Sequence, residues 1–218
     1  MELLEISCVA RWVLNTRKRV RPNLHQLWPK TSLGRLHSIL DDYLDFRNGY
    51  FVEAGANDGV SQSNTFFLGR RRGWCGILVE PIPELASIAR RWRPDAIVEN
   101  VCLVAPENSG HTMTILDLDL QSLTLSSNNA QMQLESIRLP NDVRGAKRLV
   151  ASQAETLSGV LSRHGNPNVD FLSLDVEGYE LEVLRGLDLQ THTPRYILIE
   201  TKSPDAVLKY LEDYYIMG

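Results

Sequence analysis

The chain has 218 residues, 43% of them hydrophobic and 23% charged, with a formal net charge of −4. That length suits one α/β domain with additions and a sizeable core, and the balance is that of a globular chain. The slight acidity gives no support to bulk nucleic-acid binding, and no run reaches transmembrane length.

Cys8, Cys75 and Cys102 are odd in number, far apart and without C-x-x-C spacing. Cys75 and Cys102 lie beside predicted strands, so the expectation is buried free thiols in a reducing compartment. Glu2 and Glu5 precede the first apolar residues, unlike a signal peptide. A cytoplasmic protein with no membrane span is the expectation.

In chain order, Leu3, Leu4, Ile6, Val9, Ala10, Val13 and Leu14 predict an amphipathic helix. It ends in Arg17, Lys18, Arg19 and Arg21, read as cations at a helix C-terminus rather than as an anion-binding patch. Residues 1–47 are thus a helical extension, with a linker over 22–32. A second helix follows through Leu36, Ile39, Leu40, Tyr43 and Leu44. The domain proper runs over 48–218.

Phe51-Val-Glu-Ala-Gly-Ala-Asn-Asp-Gly59 predicts a strand, a tight turn at Gly55 and Gly59, and a helix from about Val60 to Leu68 capped by Gly69. Arg70, Arg71 and Arg72 follow and read as exposed, with contact to an acidic acceptor as the alternative. Gly76–Glu80 predicts a strand. Pro83 suits the first turn of a helix whose apolar face is Leu85, Ile88, Ala89 and Trp92. Ala96–Val101 is the next strand, so alternation implies a parallel, doubly wound sheet.

His111–Leu116 alternates like an added strand. Residues 117–146 are polar and aperiodic, a candidate acceptor-side lid. Lys147–Ala151 predicts a strand, and Ser152 with Glu155 a capping box before a helix to about Arg163. Val169–Asp175 predicts a buried strand, Val176–Gly178 a turn, and Leu181, Leu184 and Leu187 a helix. Arg195–Glu200 is the last core strand, and Ser203-Pro204 opens the last helix.

Acids stand at or near the carboxyl ends of these strands: Glu53, Glu80, Asp175 and Glu200, with Glu99-Asn100 on the remaining one. A parallel sheet brings such ends to one edge, where open α/β sheets bind ligands. Glu80 follows Gly59 by about 20 residues, the spacing of an acid that hydrogen-bonds ribose hydroxyls. The glycine spacing is not G-x-G-x-x-G, and Asp58 would repel a diphosphate. The expected ligand is a non-phosphorylated nucleoside bearing positive charge.

Together these segments resemble the FkbM-type S-adenosylmethionine-dependent methyltransferases. The matching pieces are Phe51–Gly59 with Ser63-Asn64-Thr65, Gly73-Trp74, Val79-Glu80-Pro81, Val98-Glu99-Asn100, Asp170-Phe-Leu-Ser-Leu-Asp-Val-Glu-Gly-Tyr-Glu180, and Arg195–Glu200. The resemblance implies a Rossmann-like (class I methyltransferase) fold and O-methylation of a sugar, glycan or secondary-metabolite hydroxyl. It would place Glu53, Gly55 and Asn57 by the methionine part of S-adenosylmethionine, Glu80 at its ribose, and Glu99 and Asn100 near its adenine. Asp58, Gly59, Asn64 and Pro81 are neighbouring cofactor candidates. Asp175 and Glu177 would face the methyl group and the acceptor.

A sugar hydroxyl is weakly acidic and needs help to lose its proton. Asp175 or Glu177 is the candidate base, Glu200 the next; a divalent cation shared by Asp175 and Glu200 is the alternative. Glu177 also reads as a turn residue capping the following helix. His111, His164 and Lys202 read as loop or surface residues. The resemblance implies that such a sheet finishes with an antiparallel hairpin of two strands; Tyr214–Met217 is the candidate for the start of the first, and the last strand is expected to be missing. That leaves a non-catalytic nucleoside-binding module as one rival and a nicotinamide oxidoreductase as another. An unpaired sheet edge would suit a homo-oligomer.

Overall fold

A computed structural model describes residues 10–15, 35–117, 122–125, 148–212 and 215–217. The predicted linker and most of the predicted lid lie outside these residues, as do residues 1–9 of the predicted first helix.

The centre is five parallel strands: β2 (Tyr50–Ala54), β3 (Cys75–Val79), β4 (Ala96–Glu99), β9 (Phe171–Leu174) and β10 (Tyr196–Thr201). Their order is β10-β9-β2-β3-β4. Apolar, largely β-branched and aromatic runs buried on both faces give this kind of strand. The parallel sheet and its flanking helices are those of a Rossmann-like methyltransferase fold.

Helices cover both faces. Leu40 and Leu44, at the end of α1 (Arg35–Tyr43), pack with Phe67 and Leu68 of α2 (Phe66–Arg72) and Ala89 of α3 (Pro83–Trp92) over Phe51, Leu78, Phe171 and Leu198. On the other face, α4 (Leu157–Arg163), α5 (Glu180–Arg185) and α6 (Pro204–Tyr210) cover Val52, Ile77, Leu172 and Ile197. Pro83 and Pro204 both sit in first turns, where their missing N–H costs nothing.

A second sheet, in order β5-β8-β6-β7, is made of β5 (Cys102–Leu103), β6 (Thr112–Asp117), β7 (Ser122–Leu125) and β8 (Arg148–Glu155). The predicted strand at 111–116 is β6. Strand β8 runs further than predicted and absorbs Ser152–Glu155. The cap of α4 is Thr156 instead, whose hydroxyl accepts from the Gly159 amide at 2.9 Å.

Three local expectations change. Residues 10–15, inside the predicted first helix, form strand β1 (Ala10–Asn15), antiparallel to β10 on one side and to β11 (Tyr215–Met217) on the other. β1 therefore takes the place beside β10, and the strand expected from the end of the chain, at 214–217, is β11 on the far side of β1. The helix predicted from Val60 begins only at Phe66 and ends at Gly73, not Gly69. On α3 the buried face is Ala86 and Ala89, continued by Arg93, while Ile88 and Trp92 are exposed.

Candidate functional site

The carboxyl ends of β2, β3 and β9 meet at the turn 55–59. The amides of Gly55 and Ala56 both donate to the Val79 carbonyl, at 3.0 and 3.1 Å, and the Asp175 amide donates to the Ala54 carbonyl at 3.1 Å. Gly55 has φ +81°, and a Cβ there would lie 1.8 Å from the Asp175 carbonyl oxygen. Only glycine lets β9 approach so closely.

Beyond Gly55 the chain stays irregular because its side chains bond its own backbone. Asn57 (φ 51°) accepts from the Asp58 amide through Oδ1. Asp58 Oδ1 accepts from the Val60 and Ser61 amides, and Oδ2 from the Ser61 hydroxyl. These bonds hold the Asp58 pKa below its ordinary value, against partial burial. They also take up the amides that a helix start at Val60 would leave open, which explains the delayed helix.

Glu80 is 5% exposed and faces this turn. Its Oε2 accepts from the Asn57 amide at 2.8 Å and its Oε1 from the Ile82 amide at 2.9 Å. Burial pushes its pKa up to about 7, against the two amides, with Asp117 adding to the rise.

Glu53 is buried, but its carboxylate turns away from the crevice. It accepts from the hydroxyls of Ser63 and Thr65, at 2.8 and 2.6 Å, and from the Asn64 amide at 2.7 Å. Arg93, with no exposed surface, lies 3.8 Å away. Its guanidinium donates to the Gly59 carbonyl, Ser63, Thr65 and Asp95. Burial raises the Glu53 pKa, against Arg93 and the three donors. This cluster pins the 59–65 segment under the site.

A crevice of about 890 Å³, counting the solvent that opens into it, lies between the turn and the second sheet. Gly55, Asn57, Ser61, Gln62, Glu80 and Asp175 are among its polar lining residues. Leu85, Val101, Leu103 and Ile115 line it as well, together with Tyr179. Residues 53–214 match the family model described as the Methyltransferase FkbM domain.

The chain belongs to the FkbM methyltransferase family. Methyl transfer is therefore its general chemistry. No curated protein and no solved structure matches the chain.

Of the site residues predicted for this FkbM domain, the crevice brings together Gly55, Asn57, Glu80, Pro81, Asp175 and Glu177. Glu53, Asp58, Gly59 and Asn64 do not line it: Asn64 donates through Nδ2 to the Ser173 hydroxyl at 3.0 Å, and Gly59 backs onto Ala89 and Arg93. Asn100 Nδ2 donates to the Glu80 carbonyl at 2.8 Å. Glu99 accepts from Arg163 at 3.0 Å and contacts His164 Nε2 at 2.5 Å. The predicted convergence of acids is thus partial, since Glu53 and Glu99 are drawn off by buried or neighbouring cations.

Glu177 sits at φ 54° in the FkbM loop after β9. The Lys202 ammonium is 3.7 Å from its Oε2. Burial raises its pKa; Lys202 opposes the rise, and Glu200 and Glu180 add to it. The helix cap foreseen for Glu177 is not made: Tyr179 stands at the N-cap without a side-chain bond, and Glu180 Oε1 accepts from the Gly178 amide just ahead of the helix at 2.7 Å. Glu200 is half-buried near Glu177 but does not line the crevice. Among the described residues, no three His, Cys, Asp or Glu side chains are grouped to hold a metal ion.

The sequence reading of this FkbM chain passed over Arg93, Gln62 and the apolar wall. Leu103 and Ile115 of that wall belong to the second sheet, whose legible traces were the alternation at 111–116 and the strand expected over 147–151. Arg93 lies between Trp92, assigned to the apolar face of the helix, and the Pro94 that ends it, and nothing in that spacing marks a buried cation.

Proposed function

We propose that the chain is an S-adenosylmethionine-dependent O-methyltransferase acting on a hydroxyl of a sugar, glycan or secondary metabolite. The observation that supports this most directly is Glu80 in the wall of the crevice, its carboxylate bonded to the Asn57 amide of the glycine turn, with Asp175 and Glu177 lining the same crevice. The crevice walls fit a nucleoside, with polar groups for the sugar and apolar ones for a flat base. An ionised Asp58 fixed in the turn disfavours a diphosphate there.

When bound, S-adenosylmethionine would supply an already activated methyl group. The protein's part is then alignment and exclusion of water. Glu80 would accept hydrogen bonds from the ribose hydroxyls. Leu85, Leu103, Ile115 and Tyr179 would enclose the adenine. Asp175 and Glu177 stand nearest the acceptor side of the loop after β9, and one of them would take the hydroxyl proton. A raised pKa suits Glu177 to that exchange. Lys202, paired with Glu177, would hold its carboxylate at the mouth.

The test is isothermal titration with S-adenosylmethionine, S-adenosylhomocysteine and NAD, followed by transfer of labelled methyl to a panel of sugars. Binding of the first two with transfer to a hydroxyl is the expected result. Binding of NAD alone would overturn the reading. Tight nucleoside binding with no transfer to any acceptor would favour the non-catalytic module.

A further inference from the structure

The edge of the sheet opposite the crevice has its own chemistry. Helices α2 and α3 run back against the strands, so their C-terminal turns reach the amino edge of the sheet. Those turns present Arg70, Arg71, Arg90 and Arg91, all exposed. The two helix ends touch: Arg70 donates to the Trp92 carbonyl at 3.4 Å. Arg90 reaches the Val98 carbonyl of β4, at the sheet's margin, at 3.0 Å.

Arginines at helix C-termini suit the helix dipole whatever the protein does. The apolar residues among them do not follow from that. Trp92 is 58% exposed, and Ile88, one turn earlier on the same side of α3, is 39% exposed. An indole left in water beside guanidinium groups gains nothing for the fold. The arginines instead match the composition of an interfacial lipid-binding surface, in which aromatic and aliphatic side chains enter the headgroup layer and cations meet its phosphates.

A second copy of the chain fits this surface poorly, because a two-fold contact would bring arginines against arginines. We propose that the C-terminal turns of α2 and α3 form a docking face for an anionic membrane surface. Docked this way, the crevice at the opposite edge of the sheet opens away from the bilayer. This inference does not depend on the identity of the acceptor.

Sedimentation of the full chain with vesicles tests it. One set holds phosphatidylcholine alone and the other phosphatidylcholine with phosphatidylglycerol. The expected result is binding to the anionic set alone, weakening as salt is added. Arg70→Glu with Arg91→Glu should reduce partitioning by about fivefold or more per arginine lost. Trp92→Phe should abolish the vesicle-induced shift in tryptophan fluorescence. Unchanged melting temperature and S-adenosylhomocysteine binding would show that the variants still fold. No binding to anionic vesicles, equal binding of wild type and variants, or retention on polyglutamate or RNA without vesicle binding would each overturn the proposal.

Discussion

The Asn57 amide donates to the Glu80 carboxylate at 2.8 Å, tying the glycine turn after β2 to the end of β3. One side chain thus shapes the turn and stands ready for a ligand. Its pKa is displaced from 4.5 to about 7 by burial, so the folded protein holds this proton more tightly than the unfolded chain. The stability linked to that proton is complete below the ordinary carboxylate range and is lost as pH rises from about 4.5 through 7. The span corresponds to roughly 3 kcal/mol. Urea midpoints across this range should fall with rising pH in the wild type and fall less in Glu80→Gln.

The same titration should govern ligand affinity in the opposite sense. Ionised Glu80 is the better acceptor for ribose hydroxyls. Affinity for S-adenosylhomocysteine should therefore rise between pH 6 and 8, by about tenfold if the bond is charge-assisted. Calorimetry of Glu80→Gln should show a weak and nearly flat dependence.

Gly55→Ala should be among the most damaging small substitutions. The new methyl group would meet the Asp175 backbone at 1.8 Å with φ at +81°. Neither strand can yield without breaking ladder bonds, so a loss of roughly 2–4 kcal/mol is expected in chemical denaturation.

Arg93→Met keeps the helix and much of the volume but removes the cation beside Glu53. An uncompensated buried carboxylate costs about 3–5 kcal/mol. The variant should melt earlier. Adding Glu53→Gln should recover part of the loss, as a double-mutant cycle would read.

For turnover, Glu177→Gln and Asp175→Asn separate the two candidate bases. The one that takes the acceptor proton should lose about 10²–10⁴ in kcat with little change in S-adenosylhomocysteine binding. Full turnover in both single variants and in the double variant would remove both from that role.

The strand–helix order was legible because the core strands are continuous apolar runs punctuated by Gly and Pro. The place of Glu80 on the crevice was legible from its position at the carboxyl end of a predicted strand. Glu53 was misread because an acid at a strand end looks the same whether it faces a ligand or a buried arginine. Its partners Ser63, Asn64 and Thr65 fell where a helix was expected, and Arg93 lies forty residues away in sequence. The β1 segment failed for another reason. Val13 and Leu14 fit a helical stripe in sequence, but in the fold Val13 stands between Leu198 and Met217. Tertiary pairing decided the period that local spacing left ambiguous.

The placement of β1 also bears on how the chain becomes a protein. Ala10 is registered with Thr201, roughly 190 residues later. A segment that leaves the ribosome about 190 residues ahead of its partner must wait for that partner to be made. Until then the β10 side of the nascent sheet has no mate, and assembly of that margin is a slow, late step that a holding chaperone would be expected to guard.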